Sequence, residues 1–197
     1  MHQVKIHGIV HASEFQCHEK AIWYAIERNM ILSAAKDGIR SIIICPCMIY
    51  GTGLGVRTHS IQIPLMSKTA KRIGASKYVG AGKNIWSNVH IDDCADAYLL
   101  ALENAKPGSY YYLESGEESL VNIANAISKS LGHEEPAMSM NLKEAVNIWG
   151  APMSLSLSSN SRLNAEKARQ MLGLSLIHIS EPTRPRLSSY DVFCLKK

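Results

Sequence analysis

The run Ile39-Arg40-Ser41-Ile42-Ile43-Ile44-Cys45, closed by Pro46, constrains this chain more than any other stretch. It is short, β-branched and apolar on both faces, which predicts a central parallel strand covered on both sides. Upstream, between Glu19 and Lys36, Ile22, Ile26 and Met30 recur at i, i+4 and i+8 with Ala25 and Ala34 beside them, the spacing of a helix. Asp37-Gly38 ends that helix, because glycine tolerates the left-handed terminal conformation. Helix, glycine and buried strand make half of a βαβ alternation, so the fold class is α/β.

A length of 197 residues allows one domain with a sizeable core. With 46% apolar and 19% charged residues, wholesale disorder and collagen-like structure are excluded. No run approaches the roughly 18 apolar residues of a membrane span, so no membrane partner is expected. The opening Met1-His2-Gln3-Val4-Lys5 does not predict a secretory signal. A formal charge of +4, scattered along the chain, gives no ground for a nucleic-acid partner. The five cysteines (Cys17, Cys45, Cys47, Cys94 and Cys194) are an odd set without zinc spacing. They are expected to be reduced, mostly buried thiols in a cytosol-like, cytoplasmic compartment.

Residues 1–18 show little periodicity and read as a loop or ragged end. Residues 50–58 form a glycine-rich loop, followed by a helix from Ile63 to Ile73 with Pro64 in its first turn. Lys77-Tyr78-Val79 reads as a strand, Gly80-Ala81-Gly82-Lys83-Asn84 as a turn and Val89-His90-Ile91 as a second strand. Asp92 is expected at the N-cap of the next helix, with Asp93 adding charge near its positive end and His90 in the core. The predicted buried stripe of that helix is Ala95, Tyr98, Leu99 and Leu102, and Lys106-Pro107-Gly108 stops it. Ser109 to Leu113 reads as a strand. Leu120, Ile123, Ala124, Ile127 and Leu131 predict a helix ended by Gly132, a weaker helix runs from Leu142 to Trp149, and Asn164 caps a short one carrying Ala168, Met171 and Leu172. After Gly173 the two prolines Pro182 and Pro185 interrupt any regular pattern.

Three segments in order carry a resemblance. Cys45-Pro46-Cys47-Met48-Ile49-Tyr50-Gly51 is similar to an Arg-Pro-x-x-x-Tyr-Gly stretch, Gly80-Ala81-Gly82-Lys83-Asn84 to a Gly-Asp-Gly turn, and Trp86-Ser87-Asn88-Val89-His90-Ile91-Asp92-Asp93-Cys94-Ala95-Asp96-Ala97 to a His-Val-Asp-Asp-x-Ala-x-Ala strand-to-helix junction. All three belong to the C-terminal half of the extended short-chain dehydrogenase/reductases, the NAD-dependent epimerase/dehydratase family. Gln62-Ile63-Pro64 and Ser159-Asn160-Ser161-Arg162 resemble an atypical subgroup.

The resemblance implies the C-terminal part of a Rossmann-type doubly wound parallel sheet plus a small α+β substrate domain. It divides the chain into a remnant of the dinucleotide-binding domain (1–56), a substrate domain (57–173) interleaved with the last Rossmann strand and helix (about 86–104), and a non-family tail (174–197). The tail, with Leu176-Ile177-His178-Ile179-Ser180-Glu181, resembles read-through of a sequencing adapter. The family's Gly-x-x-Gly-x-x-Gly loop, which holds the pyrophosphate at a helix N-terminus, would lie roughly a hundred residues upstream of Met1. The chain is therefore expected to be a fragment lacking its main cofactor-binding half, with unpaired sheet edge and exposed apolar surface. The implied cofactor is NAD or NADP and the implied reaction hydride transfer on a small carbonyl or alcohol. A small-molecule substrate is the expected partner, with a homodimer at full length. A non-catalytic dinucleotide-binding sensor on the same fold and a nonfunctional truncated product are the alternatives.

By the resemblance, the catalytic residues are Tyr24 and Arg28, in place of a Tyr-x-x-x-Lys pair that shares a helix face. Counted back from Pro46, the family lysine falls near Tyr24 and the tyrosine near Lys20, so Tyr24 takes the acid/base role after a one-turn slip. Arg28 would supply positive charge but is a poor proton relay. Pro46, Cys47, Met48, Ile49 and Tyr50 are expected beside the nicotinamide, and Trp86 and Asn88 at the substrate. Trp86 stands where nucleotide-sugar enzymes often carry an arginine, and an indole cannot replace a guanidinium fork on a diphosphate. No metal is expected: neighbours on a strand point to opposite faces, so His90, Asp92 and Asp93 do not converge.

Overall fold

The chain is described by a computed structural model covering residues 18–54 and 59–174, with side chains from Ala25 onward. Most of the expected loop over residues 1–18 (1–17), the end of the glycine-rich loop (55–58), most of the tail (175–197), Cys17 and Cys194 lie outside the described residues, while His18 already begins a helix.

Helix α1 (His18–Ser33) runs into a 3-10 turn (Ala34–Asp37) that Gly38 closes at φ +79°, the left-handed termination expected from the sequence. Strands β1 (Ile42–Pro46) and β2 (Met48–Tyr50) follow, then α2 (Gln62–Ile73), β3 (Lys77–Val79) and β4 (Ile85–His90). Helix α3 (Ile91–Asn104), β5 (Ser109–Leu113), β6 (Gly116–Ser119) and α4 (Leu120–Ser130) come next. The chain closes with β7 (Met138–Met140), α5 (Leu142–Trp149), α6 (Ala151–Ser158) and α7 (Glu166–Leu172). Strand β1 pairs with β5 in parallel, β4 pairs with β2 in parallel and β6 in antiparallel fashion, and β3 pairs with β7 in parallel. This is the mixed α/β architecture that the helix-glycine-strand pattern predicts.

Among the described residues two hydrophobic cores result. The first gathers Met48, Ile63, Met66, Trp86, Ile127 and Trp149 among α2, α4, α5 and α6. The second lies between the β1–β5 pair, α3 and α7, with Val89, Cys94, Ala97, Tyr111, Leu113 and Leu174. Strands β2 and β4 contribute to both, since alternate residues face opposite ways: Met48 and Trp86 enter the first core, Ile49 and Val89 the second.

Several expectations are corrected. Strand β1 is not covered on both faces: all five residues are half-buried, and β5 is its single strand partner among the described residues. Strand β4 starts earlier and ends at His90, so Ile91 is the first helical residue. In α3 the buried residues are Asp93, Cys94, Ala97 and Ala101, whereas Leu99 and Leu102 are 58% and 64% exposed. The small residues Cys94, Ala97 and Ala101 form the buried face, and Tyr98 of the predicted stripe packs half-buried against the second core. At the other end of α3, the guanidinium of Arg40 donates to the Ala101 and Ala105 carbonyls (3.0 and 3.3 Å), where the helix dipole favours a cation.

The N-cap of α3 is His90, not Asp92, and His90 is accordingly not a simple core residue. Its backbone is extended, and its Nδ1 accepts the Asp92 amide at 3.3 Å. Asn164 does satisfy an amide of α7, Glu166 N at 2.8 Å, although Ala165 holds the N-cap position and Met171 points outward at 49% exposure.

Candidate functional site

Strand β1 ends at Pro46, and the chain then crosses from one sheet to the next. The Cys47 amide still donates to the Leu113 carbonyl of β5 (3.1 Å). From Met48 the chain pairs with β4, in the register Met48–Asn88, Ile49–Val89 and Tyr50–His90. The segment Pro46–Tyr50 thus stitches the β1–β5 pair to the β2–β4–β6 sheet at the carboxyl end of β1. In open α/β sheets that is the side on which ligands approach.

Asn88 is brought next to this segment by the pairing and is 7% exposed. Its carbonyl accepts the Ser115 amide at 2.7 Å and the Ser115 hydroxyl at 3.3 Å, so β4 is tied to the end of β5. Tyr50 meets the His90 ring edge to face, with centroids 5.2 Å apart. Behind them Gly51 has φ +98°, and a Cβ there would stand 2.5 Å from His90 Nε2. Only a residue without a side chain allows His90 to lie against the backbone and cap α3. The Asp92 carboxylate is 3.4 Å from the same Nδ1 that accepts the Asp92 amide. One nitrogen cannot accept and donate at once, so the neutral ring protonated on Nε2 is the capping form.

Trp86 sits apart from this face. It is 6% exposed, its ring lies in the first core, and its Nε1–H donates to the Ser159 carbonyl at 2.8 Å. Tyr24 lies on α1, with its side chain outside the described residues. Arg28, one turn later, holds its guanidinium 5.8 Å above the Tyr110 ring. Tyr110 and Tyr112 pack edge to face on β5 at 4.9 Å. Burial, then hydrogen bonds with Tyr112 and Cys45, push the Tyr110 phenol well above its ordinary range.

The polar residues that brace this region were not singled out from the sequence. Glu114, at the end of β5 and nearly buried, pairs with Arg169 of α7 and accepts the Ala165 amide at 3.3 Å. Glu117 of β6 is gripped by two nitrogens of Arg162 at 2.7 and 3.0 Å, which holds its carboxyl below the usual range. Arg162 belongs to the Ser159–Arg162 pattern, the one signal that pointed here, yet that pattern carries no partner for it.

Among the described residues no group of three or more His, Cys, Asp or Glu side chains could hold a metal ion, and no helix is long and apolar enough to cross a membrane. Cys45, Cys47 and Cys94 are free thiols. Burial pushes Cys94 up to about 11 and Cys47 further still. The neutral Cys94 thiol therefore contributes stability that is complete below its ordinary value of 9.0 and is lost as pH rises toward about 11. Urea midpoints between pH 8.5 and 11 are expected to fall less steeply in Cys94→Ala than in the parent. Parallel curves would show that the buried thiol is not titrating. In the native state at pH 8, iodoacetamide should leave Cys94 unmodified, since the thiolate is the nucleophile.

Comparison with known proteins agrees with this architecture. Residues 23–113 match the NAD dependent epimerase/dehydratase family. An uncharacterized protein of Schizosaccharomyces pombe is 33% identical over 149 residues, covering 75% of this chain and 48% of that protein. The oxidase ucsJ of Acremonium sp. is 32% identical over 111 residues, 47% of this chain and 31% of that protein. The chain spans about half the length, or less, of the curated relatives it matches. Among solved structures, the dTDP-glucose 4,6-dehydratase DesIV of Streptomyces venezuelae with NAD and TYD bound shares the fold at TM-score 0.60 and 20% identity, over 79% of this chain and 45% of that one. The UDP-glucose 4-epimerase of Thermotoga maritima does so at TM-score 0.61 and 15% identity, over 85% and 50%.

Proposed function

We propose that the chain, whose residues 23–113 match the NAD dependent epimerase/dehydratase family, is the C-terminal portion of an NAD(P)-dependent oxidoreductase acting on a small carbonyl or alcohol. One observation carries the reading: Pro46–Tyr50 leaves the carboxyl end of a parallel strand and pairs with Asn88 and His90. That passage is where one end of a dinucleotide would meet the sheet.

The residues fit one end of the cofactor and not the other. Gly51 and Gly53 follow β2, but α2 begins only at Gln62, so the described glycines make no tight turn into a helix N-terminus for a pyrophosphate. Pro46 to Ile49 would instead offer backbone groups to the carboxamide of a nicotinamide, with Tyr50 supporting the loop. When bound, that ring accepts or gives the hydride. Tyr24 would exchange the proton with the substrate oxygen while Arg28 supplies positive charge, and Asn88 would contact the substrate. Trp86, buried in the first core, would fix the shape of β4 beside Asn88 rather than contact the substrate.

A second reading, a dinucleotide-binding sensor, draws support from Arg28. Its guanidinium is engaged over the Tyr110 ring, as an anchor between α1 and β5 would be.

The full-length gene product, assayed with NADH and NADPH against a panel of aldehydes and ketones, is expected to consume cofactor. Tyr24→Phe should lower that turnover at least about a hundredfold without changing dinucleotide affinity. Tight dinucleotide binding with no turnover would overturn the enzyme reading in favour of the sensor. The 197-residue chain alone is expected to bind the dinucleotide weakly; micromolar binding by a monomer of it would overturn the assignment to a C-terminal portion.

A further inference from the structure

We propose that Ser159–Leu163 is a strap that locks the two hydrophobic cores together, and that Glu117 is its latch. The segment leaves α6, whose Leu157 lies in the first core, and leads to α7, whose Ala168 and Leu172 lie in the second. Between them it runs along β4 and is held there by polar bonds. Ser161 N donates to the Ile85 carbonyl (2.9 Å) and Ser87 N to the Ser161 carbonyl (2.8 Å), a parallel ladder one residue wide.

Side chains reinforce it from both directions. Asn160 Oδ1 accepts the Ile85 amide at 2.8 Å. Asn84 Nδ2 donates to the Leu157 and Ser159 carbonyls at 3.0 and 2.9 Å, and the Trp86 indole shares the Ser159 carbonyl. Ser87 sits at the crossing point: its hydroxyl accepts the Leu163 amide at 2.9 Å and donates to Glu117 at 3.2 Å.

Glu117 reaches the strap from two directions, through the bidentate Arg162 pair and through Ser87. A bidentate pair fixes direction as well as distance. The pair is also solvent-facing, with side-chain exposures of 60% for Arg162 and 31% for Glu117, so it opens at low cost and responds to salt. The hydrogen bonds beneath it are short-range and cooperative with it, because Ser87 loses an acceptor when Glu117 departs. The strap fixes β4 at Ile85–Ser87, directly upstream of Asn88 and His90. The lock rests on these contacts alone and holds whichever ligand the site takes.

Hydrogen exchange of the full chain by NMR tests this. Glu117→Gln is expected to speed exchange of the Ser87, Ser161 and Leu163 amides by about two- to fivefold, leaving the β1–β5 amides of Cys45 and Tyr111 unchanged. Raising NaCl should accelerate the same three amides in the parent and have little further effect in the variant. Equal rates in parent and variant, or acceleration spread evenly into β1 and β5, would overturn the latch. Should the variant fail to fold, the salt series on the parent decides: no selective response of the three amides refutes the proposal.

Discussion

Trp86→Ala is expected to lower the stability of the chain by about 3–5 kcal/mol, the range for emptying a buried indole from a packed core. The ring is 6% exposed and packed in the first core. Its loss also frees the Ser159 carbonyl from the Nε1–H bond at 2.8 Å. That carbonyl belongs to an exposed residue, so water replaces the indole cheaply and the cavity dominates. Trp86→Phe keeps an aromatic ring but loses three side-chain heavy atoms together with the donor, so it should cost less than the alanine variant, about 1–3 kcal/mol. Urea denaturation of the two variants measures both. A small effect of the alanine variant would mean that the ring is not part of the core and is free to meet a ligand. The contrast bears on substrate choice, because a tryptophan that fills a core constrains the shape of β4 rather than touching what binds beside it.

How much of this could be read in advance differs by residue. The helix before Gly38, the strand ending at Pro46 and the amphipathic helix from Leu120 were legible because a single local pattern decides each. Helix α3 was legible in extent but not in orientation. Its large apolar residues Leu99 and Leu102 face outward while Cys94, Ala97 and Ala101 pack, and nothing local states how closely a helix approaches its sheet. Strand β6 was missed because Gly116-Glu117-Glu118-Ser119 has no β pattern. It is a strand because β4 offers it a ladder from Asn88 to Ile85 and because Arg162, 45 residues away, neutralises Glu117. Likewise α6 has no amphipathic stripe in Ala151–Ser158 and is placed by contact with α5 and β3.

The site divides in the same way. Adjacency of Pro46–Tyr50 to Asn88 follows from strands that the sequence marks, whereas the capping role of His90 depends on a close approach to Gly51, a contact between segments about forty residues apart that no local pattern states. The implied pair Tyr24 and Arg28 shares α1, as spacing requires, yet the partner of Arg28 is a tyrosine on β5 that no motif announces.

Gly51→Ala is expected to destabilise the chain by about 2–5 kcal/mol. Two costs combine: a β-carbon at φ +98°, worth about 1–2 kcal/mol, and overpacking against the imidazole, typically about 1–3 kcal/mol. The new methyl would stand 2.5 Å from His90 Nε2, 2.8 Å from Cδ2 and 3.1 Å from the Ile91 side chain. The ring has little freedom to withdraw, since its Nδ1 holds the Asp92 amide and its face meets Tyr50 at 5.2 Å. A double-mutant cycle separates the two costs. His90→Ala alone removes a helix cap, about 1 kcal/mol, whereas His90→Asn retains an acceptor and should lose less. In the Gly51→Ala, His90→Ala double variant the collision disappears while the strained backbone remains, so its loss should fall short of the sum of the single losses by about 1 kcal/mol or more. Strict additivity in urea midpoints would mean that Gly51 and His90 do not constrain each other, and that the junction between β2 and α3 is set by the backbone conformation of Gly51 alone.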